Sequence, residues 1–361
     1  MAHEKTHEKT GVLLLNIGTP AAPNPTDVGR YLEEFLMDPL VIQTPWLLRS
    51  ILVKILIVPR RKHRSAEAYQ KVWTSQGSPL LLHMNNMAKS LEEFLNRQAN
   101  DQHLKPRRHF TVETAMRYQN PSIMTVLKKW KDQSVGQLMI VPCYPQYSEA
   151  ATLSSILAVR ETLQQLGWNP SVSEVNAFYS ADFFIQALAA KIKSNLQKDE
   201  HLVFSYHGLP MKQIHKTCQF KCSENADCSR HPNYLKPVKS LISGDNCYWA
   251  QTLATSRRCA EVLGLKKDQY SISFQSRLHS GWTRPFTDKL LPELAQRGIR
   301  KVAVVCPAFV ADCLETLEEV DMSLRRTYLD AGGESFRFIP CLNDDPMWVQ
   351  GLGEELKRDS D

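Results

Sequence analysis

His207 is the residue whose setting first suggests chemistry. It lies in Ser205-Tyr-His-Gly-Leu-Pro210, directly after the apolar run 202–205. An imidazole titrates near neutral pH and can accept a proton or ligate a metal. A strand-end position flanked by Gly208 and Pro210 leaves it free for either, although a loop histidine bonded to backbone fits the same residues. A series of acids follows later: Asp312, Glu315, Glu318, Glu319 and Asp321. Asp312 with Glu315 three positions on reads as a helix cap. Helical spacing then puts Glu315 and Glu319, with Glu318 or Met322, on one face about a turn apart. Such a ladder is either a solvated face or a route for a divalent cation or protons into a cleft.

Four of the nine cysteines, Cys218, Cys222, Cys228 and Cys247, crowd into thirty polar residues with the spacing C-x3-C-x5-C-x18-C. Zinc would accept four thiolates, or three plus His231, but the tight C-x2-C knuckle is missing. A [2Fe–2S] cluster tolerates looser spacing, and unliganded thiols remain a third reading. Cys143, Cys259, Cys306, Cys313 and Cys341 fall in or beside regular elements and read as packed thiols. A last set combines aromatics and arginines: Tyr31, Trp73, Arg117, Tyr118, Tyr144, Tyr147, Trp282 and Phe309, with Arg277. Together these suit a flat, apolar, anionic molecule, stacked on ring faces and paired through its carboxylates.

The elements that must position these groups alternate. Short runs rich in β-branched residues predict strands at 12–15, 110–114, 137–141, 172–175, 202–205, 271–274, 302–305 and 336–339. Helical periods lie between them, near 27–35, 65–75, 83–98, 121–132, 151–166, 181–196, 248–263, 284–296, 313–329 and 344–357. The alternation implies parallel, doubly wound sheets, and eight strands divide into four and four, so the fold class is α/β with two domains meeting near 172–178. Ligands in such folds collect at the carboxyl ends of strands. No G-x-G-x-x-G or Walker A pattern follows any of them, which removes most support for nucleotide binding.

Composition is that of a globular protein, with 43% hydrophobic and 23% charged residues, so disordered and fibrous classes are excluded. The net charge of +6 suits an anionic ligand or a membrane surface. The most apolar stretch, 46–58, is broken by Arg49 and Lys54 and does not read as a spanning helix. It leads into Arg60-Arg-Lys-His-Arg64, a basic run that suits a membrane rim better than nucleic acid. The opening MAHEKTHEKT lacks the apolar core of a secretory signal and reads as a polar tail. A reducing cytoplasm follows as the expected compartment, where metal or redox roles for cysteine outweigh disulfides.

The segments Gly11-Val-Leu-Leu-Leu-Asn-Ile-Gly-Thr-Pro20, Gly77-Ser-Pro79, Met116-Arg-Tyr-Gln-Asn-Pro-Ser122, Tyr144-Pro-Gln-Tyr-Ser148, Ser205–Pro210, Gly244-Asp245, Phe274-Gln-Ser-Arg277, Trp282 and Phe309-Val-Ala-Asp-Cys-Leu-Glu-Thr-Leu-Glu-Glu319 occur in that order. In these, over nearly its whole length, the chain resembles the ferrochelatases, which insert ferrous iron into a porphyrin at the end of haem synthesis. The resemblance implies two Rossmann-like domains, each with a four-stranded parallel sheet and an active-site cleft between them. It divides the chain into a tail (1–10), an N-terminal domain (11–175) with a cleft lip (44–64), a C-terminal domain (176–340) with a cysteine-rich insertion (216–248), and a C-terminal helix (341–361) returning to the first domain.

It further implies that His207 and Glu315 are catalytic, with His207, Glu315 and Glu319 meeting the substrate iron. Tyr31, Arg117, Tyr118, Trp282 and Phe309 would contact porphyrin. Some bacterial members hold a [2Fe–2S] cluster in an internal segment, which the resemblance transfers to Cys218, Cys222, Cys228 and Cys247. The implied partners are protoporphyrin IX, Fe²⁺, the inner membrane surface and the preceding haem-pathway enzyme, with no nucleic acid. The implied location is cytoplasmic, peripheral on the inner membrane. Coproporphyrin III or cobalt as substrate, or a porphyrin or haem carrier, are the alternatives. The chain departs from the family pattern in a 275–282 segment one residue short and in Ala308, where glycine is common.

Overall fold

The computed structural model describes residues 9–99, 109–218 and 246–358. Four strands, β1 (Lys9–Gly18), β2 (His109–Tyr118), β3 (Gln137–Pro142) and β4 (Ser171–Glu174), form one sheet in the order β2-β1-β3-β4. β5 (His201–His207), β6 (Tyr270–Gln275), β7 (Lys301–Val305) and β8 (Ser335–Ile339) form a second in the order β6-β5-β7-β8. Every strand pairing within the two sheets is parallel, and helices cover the sheets, so the fold is the α/β, doubly wound class expected. Several strands run past the apolar residues that marked them. Ladder bonds carry β5 as far as His207, a residue with no strand signal of its own.

Parallel sheets covered on both faces need strands apolar on both sides. Val12, Leu13, Leu14 and Leu15 meet that demand, all four fully buried. Val12 and Leu14 join a large apolar cluster that continues into the second half through Phe204, Tyr206, Phe274 and Val305. Leu13 and Leu15 point the other way, onto Leu127 and Trp130. Gly11 leaves room there, since an added Cβ would come within 2.8 Å of the Trp130 ring.

Two stretches differ from the pattern read in the sequence. The chain from 46 to 72 is helical throughout: Trp46–Ile51, wide i→i+5 turns over Leu52–Ile57, then Val58–Val72. Its outward apolar residues mask the ordinary amphipathic period. A short helix, Met211–Thr217, follows β5 and has too few turns to show a period.

The last described helix, Pro346–Arg358, packs on Pro79–Ala99 and on Asp182–Asn195. Trp348 anchors it, fully buried, with its ring 5.6–6.1 Å from those of Phe178, Phe183 and Phe184 and its indole N–H 3.4 Å from Met87 Sδ. Trp348→Ala removes the centre of this cluster and is expected to cost about 3–5 kcal/mol, read as a lowered urea midpoint at unchanged slope.

Candidate active site

In each sheet the chain starts at an inner strand, adds a neighbour on one side and then crosses to the other. The order reverses between β1 and β3, and again between β5 and β7. Loops diverge at such points and leave a crevice beyond the strand ends. Here both crevices open into one cleft. Asn16 and Thr19 reach it from β1, Cys143 and Gln146 from β3, His207 and Leu209 from β5, and Phe309 and Glu315 from β7. Its empty volume is about 1170 Å³ with the open mouth included.

His207 is half-buried at the tip of β5. Its Nδ1 lies 2.7 Å from Gly208 O. A carbonyl only accepts, so Nδ1 carries the proton and the neutral ring keeps its Nε2 lone pair. Burial pushes the imidazole pKa down, while the Glu315 charge and the Gly208 carbonyl pull it partly back. The Phe309 and Trp282 rings stand 6.3 and 6.4 Å away.

Glu315 and Glu319 lie on a helical segment of wide i→i+5 turns, Glu315–Leu324. Gln275 Nε2 donates to Glu315 O at 3.0 Å and so fixes where this segment begins. Glu315 lines the main cleft. Glu319 lines a second hollow of about 570 Å³ with Gln275, Ser276, Arg277, Asp288 and Leu324. The two acids, four residues apart, thus line two neighbouring hollows. Burial pushes the Glu319 carboxyl up to about 7, against hydrogen bonds from the Ser276 N–H at 2.7 Å and the Ser276 hydroxyl. Ser276 meets both oxygens by adopting a φ of 63°, which L-residues rarely take.

The remaining acids are engaged elsewhere. Glu318 pairs with Lys71 at 2.8 Å, and Asp321 with Arg325. The expected Asp312 cap does not form. Its carboxylate instead accepts the Thr316 hydroxyl at 3.0 Å, the Cys341 N–H at 3.2 Å and the Asn343 side-chain amide at 2.8 Å, tying the helix start to the loop after β8.

Comparison with known proteins now decides between the kinds of cleft. The ferrochelatase family model matches residues 9–359. The chain belongs to the ferrochelatase family. It is thus an enzyme, a lyase of haem biosynthesis that inserts ferrous iron into a porphyrin. The ferrochelatase of Coxiella burnetii (strain Dugway 5J108-111) is 39% identical over 359 residues, covering 98% of this chain and 95% of that one. That of Bdellovibrio bacteriovorus is 38% identical over 352 residues, with coverage of 97% and 99%. Among solved structures, SirB from Bacillus subtilis with Fe3+ has a TM-score of 0.51 at 10% identity, covering 97% and 95%, a likeness of fold alone.

The ferrochelatase cleft brings together only part of the set expected from the sequence. Tyr31 and Phe309 line it. Trp282 stands behind His207, its ring also 6.2 Å from His279. Arg117 and Tyr118 end β2, one strand away from the reversal, and are not among the cleft-lining residues. Arg117 Nη2, Tyr118 OH and Ser154 Oγ all donate to Asp38 Oδ2, at 2.7, 2.9 and 2.6 Å. Sequence reading passed over Tyr69, Thr19, Ser78 and Tyr248, which do line the cleft. Thr19 Oγ1 bonds Ser78 Oγ at 2.8 Å, a polar pair on an apolar wall. The signal available was position, since Thr19 follows β1 directly and Ser78 lies in the Gly77-Ser-Pro79 turn.

Cys218 and Cys247 are buried in the cluster common to both halves. Cys222 and Cys228 lie outside the described residues. Among the described residues no three His, Cys, Asp or Glu side chains gather to hold a metal ion.

Glu319 carries a pH signature. Its folded pKa, about 7, lies above the ordinary 4.5. The stability it contributes is complete below about pH 4.5 and is lost as pH rises through about 7. Glu319→Gln cannot ionise, so its stability relative to wild type should rise by roughly 1–3 kcal/mol between pH 5 and pH 8, measured by denaturant titration at both.

Proposed function

We propose that this cleft inserts Fe²⁺ into protoporphyrin IX, with His207 as the base that takes the pyrrole protons. The observation that carries the reading is that the Nε2 lone pair of a neutral His207 and the carboxylate of Glu315 belong to one apolar cleft. Metallation exchanges two N–H protons for one Fe²⁺, and a flat macrocycle shields the nitrogen lone pairs. Apolar walls that hold the ring out of plane expose those lone pairs, a use of binding energy on ground-state geometry. His207, held in its neutral form by burial, then accepts the protons. Glu315 and Glu319 pass protons outward or bring the metal inward. A carboxyl titrating near 7, as Glu319 does, suits exchange at neutral pH.

His207→Ala should lower insertion at least ~100-fold while protoporphyrin affinity stays within a few-fold. The assay is anaerobic loss of porphyrin fluorescence with Fe²⁺. Normal turnover in that variant would sink the base assignment. Tight protoporphyrin binding without turnover by the unsubstituted protein would favour coproporphyrin III as the substrate.

The finer readings belong with this one. Cys218, Cys222, Cys228 and Cys247 are assigned to a [2Fe–2S] cluster. The two that are described fit in donor type and burial, both thiols set in the core. Such a group would supply a structural tie or a sensor, since the insertion is not redox chemistry. The chain divides into its two domains near residue 175.

The lip is assigned to a membrane surface. No helix among the described residues is long and apolar enough to cross a membrane. Yet Trp46, Leu47, Leu48, Ile51, Ile55 and Leu56 are exposed together, 40–67% of each in solvent, beside exposed Arg60, Arg61 and Arg64. An apolar face edged with cations suits the interface of an anionic bilayer. Ile51→Asp with Ile55→Asp should reduce co-sedimentation with anionic vesicles severalfold and leave detergent-assayed turnover unchanged.

A further inference from the structure

We infer that Tyr248 is a positioning residue for His207, the hydroxyl that holds the histidine-bearing peptide in its working orientation. The inference rests on the iron-insertion reading above. It begins from how the two flanking strands end. β5 stays in register with β6 through His207↔Gln275, but its pairing with β7 stops at Phe204↔Val305. At the 207–208 peptide the N–H and C=O point in opposite directions, as in any trans peptide. Gly208 N–H donates to Gln275 O at 2.8 Å, on the β6 side. The His207 carbonyl must then face the side where β7 has already ended and no ladder partner remains. Tyr248 OH donates to that carbonyl at 2.7 Å.

The peptide is thus held at both ends, by a strand on one side and by a single hydroxyl on the other. Its orientation matters to the imidazole, because the next carbonyl, Gly208 O, fixes the Nδ1 proton. Movement of the peptide would release that proton and let the ring present the wrong tautomer to substrate. The β6 side is crowded and gives little freedom. Leu209 N–H reaches Thr283 Oγ1 at 3.1 Å, Thr283 N–H reaches Leu209 O at 2.9 Å, and an added Cβ on Gly208 would lie 2.8 Å from Gln275 O. Control of the peptide therefore falls to Tyr248.

Two parts of Tyr248 can be separated. The residue lines the cleft, while its hydroxyl is spent on the His207 carbonyl. Tyr248 also opens the helix Tyr248–Leu263, directly after Cys247. Tyr248 therefore starts a helix whose preceding residue is a buried thiol, so the arm is set from the core.

Tyr248→Phe keeps the ring and removes the hydroxyl, which makes it the discriminating variant. A positioning role predicts that kcat for iron insertion falls about tenfold, while KM for protoporphyrin and porphyrin affinity by fluorescence quenching stay within about twofold. Tyr248→Leu, losing wall and hydroxyl together, should lower both. A Tyr248→Phe kcat within twofold of wild type would overturn the inference. So would a raised KM at unchanged kcat, which would make Tyr248 a wall contact only. Absence of insertion by the unsubstituted protein would instead overturn the underlying reading, and the two failures are told apart by that control.

Discussion

Strands buried on both faces dominate this molecule. A parallel ladder sealed by helices favours apolar side chains along its length and admits polar ones only where a partner waits, as for Ser205 and Ser273, so chemistry concentrates at the strand ends. Because strand order reverses once in each sheet, four of those ends are the tips of β1, β3, β5 and β7, and they share one cleft. The apolar cluster running from Val12 and Leu14 to Phe204 and Val305 holds the two crevices in apposition. Trp348 closes the same cluster from the C-terminal helix. The position of His207 relative to Glu315 is therefore a property of the core, and packing changes far from the cleft would be felt within it.

Burial also sets the electrostatics. It pushes His207 towards the neutral imidazole and Glu319 towards protonation, up to about 7. Glu318 and Asp321 sit on the same helical segment, but Lys71 and Arg325 engage them. The segment thus separates its acids by partner: two are salt-bridged at the surface and two remain for the cleft and the hollow behind it.

Much of this was legible in the residues. All eight strands were read, the inner ones because a doubly buried strand leaves a continuous apolar mark, the exposed β4 from Val172 and Val175 alone. His207 was visible because glycine and proline follow it at a strand end. The acid ladder was visible as spacing, but its division was not, because Lys71 lies over two hundred residues away. Arg117 and Tyr118 looked like ligand contacts by type. Their shared partner, the buried Asp38 that also takes the Ser154 hydroxyl, could not be read from type or spacing. The lip reads as an apolar helix beside a basic run, but that its apolar residues face outward could not be read, since a periodicity argument assumes they face in. Tyr248 could not be read at all, since its role depends on where β7 stops.

The segment carrying the two acids winds with one residue more per hydrogen-bonded ring than an α-helix. Such a turn behaves like an insertion that the helix has absorbed. Removing one residue from 316–318 would let the segment relax to ordinary winding with its backbone bonds satisfied. Every later side chain would turn by about 100° about the helix axis. Glu319 would leave Ser276, and Lys71 would lose Glu318, although no acid had been deleted. In this helix length is itself functional information: a change harmless to composition would turn Val320 and Leu324 out of the core and part Glu319 from the hollow it lines.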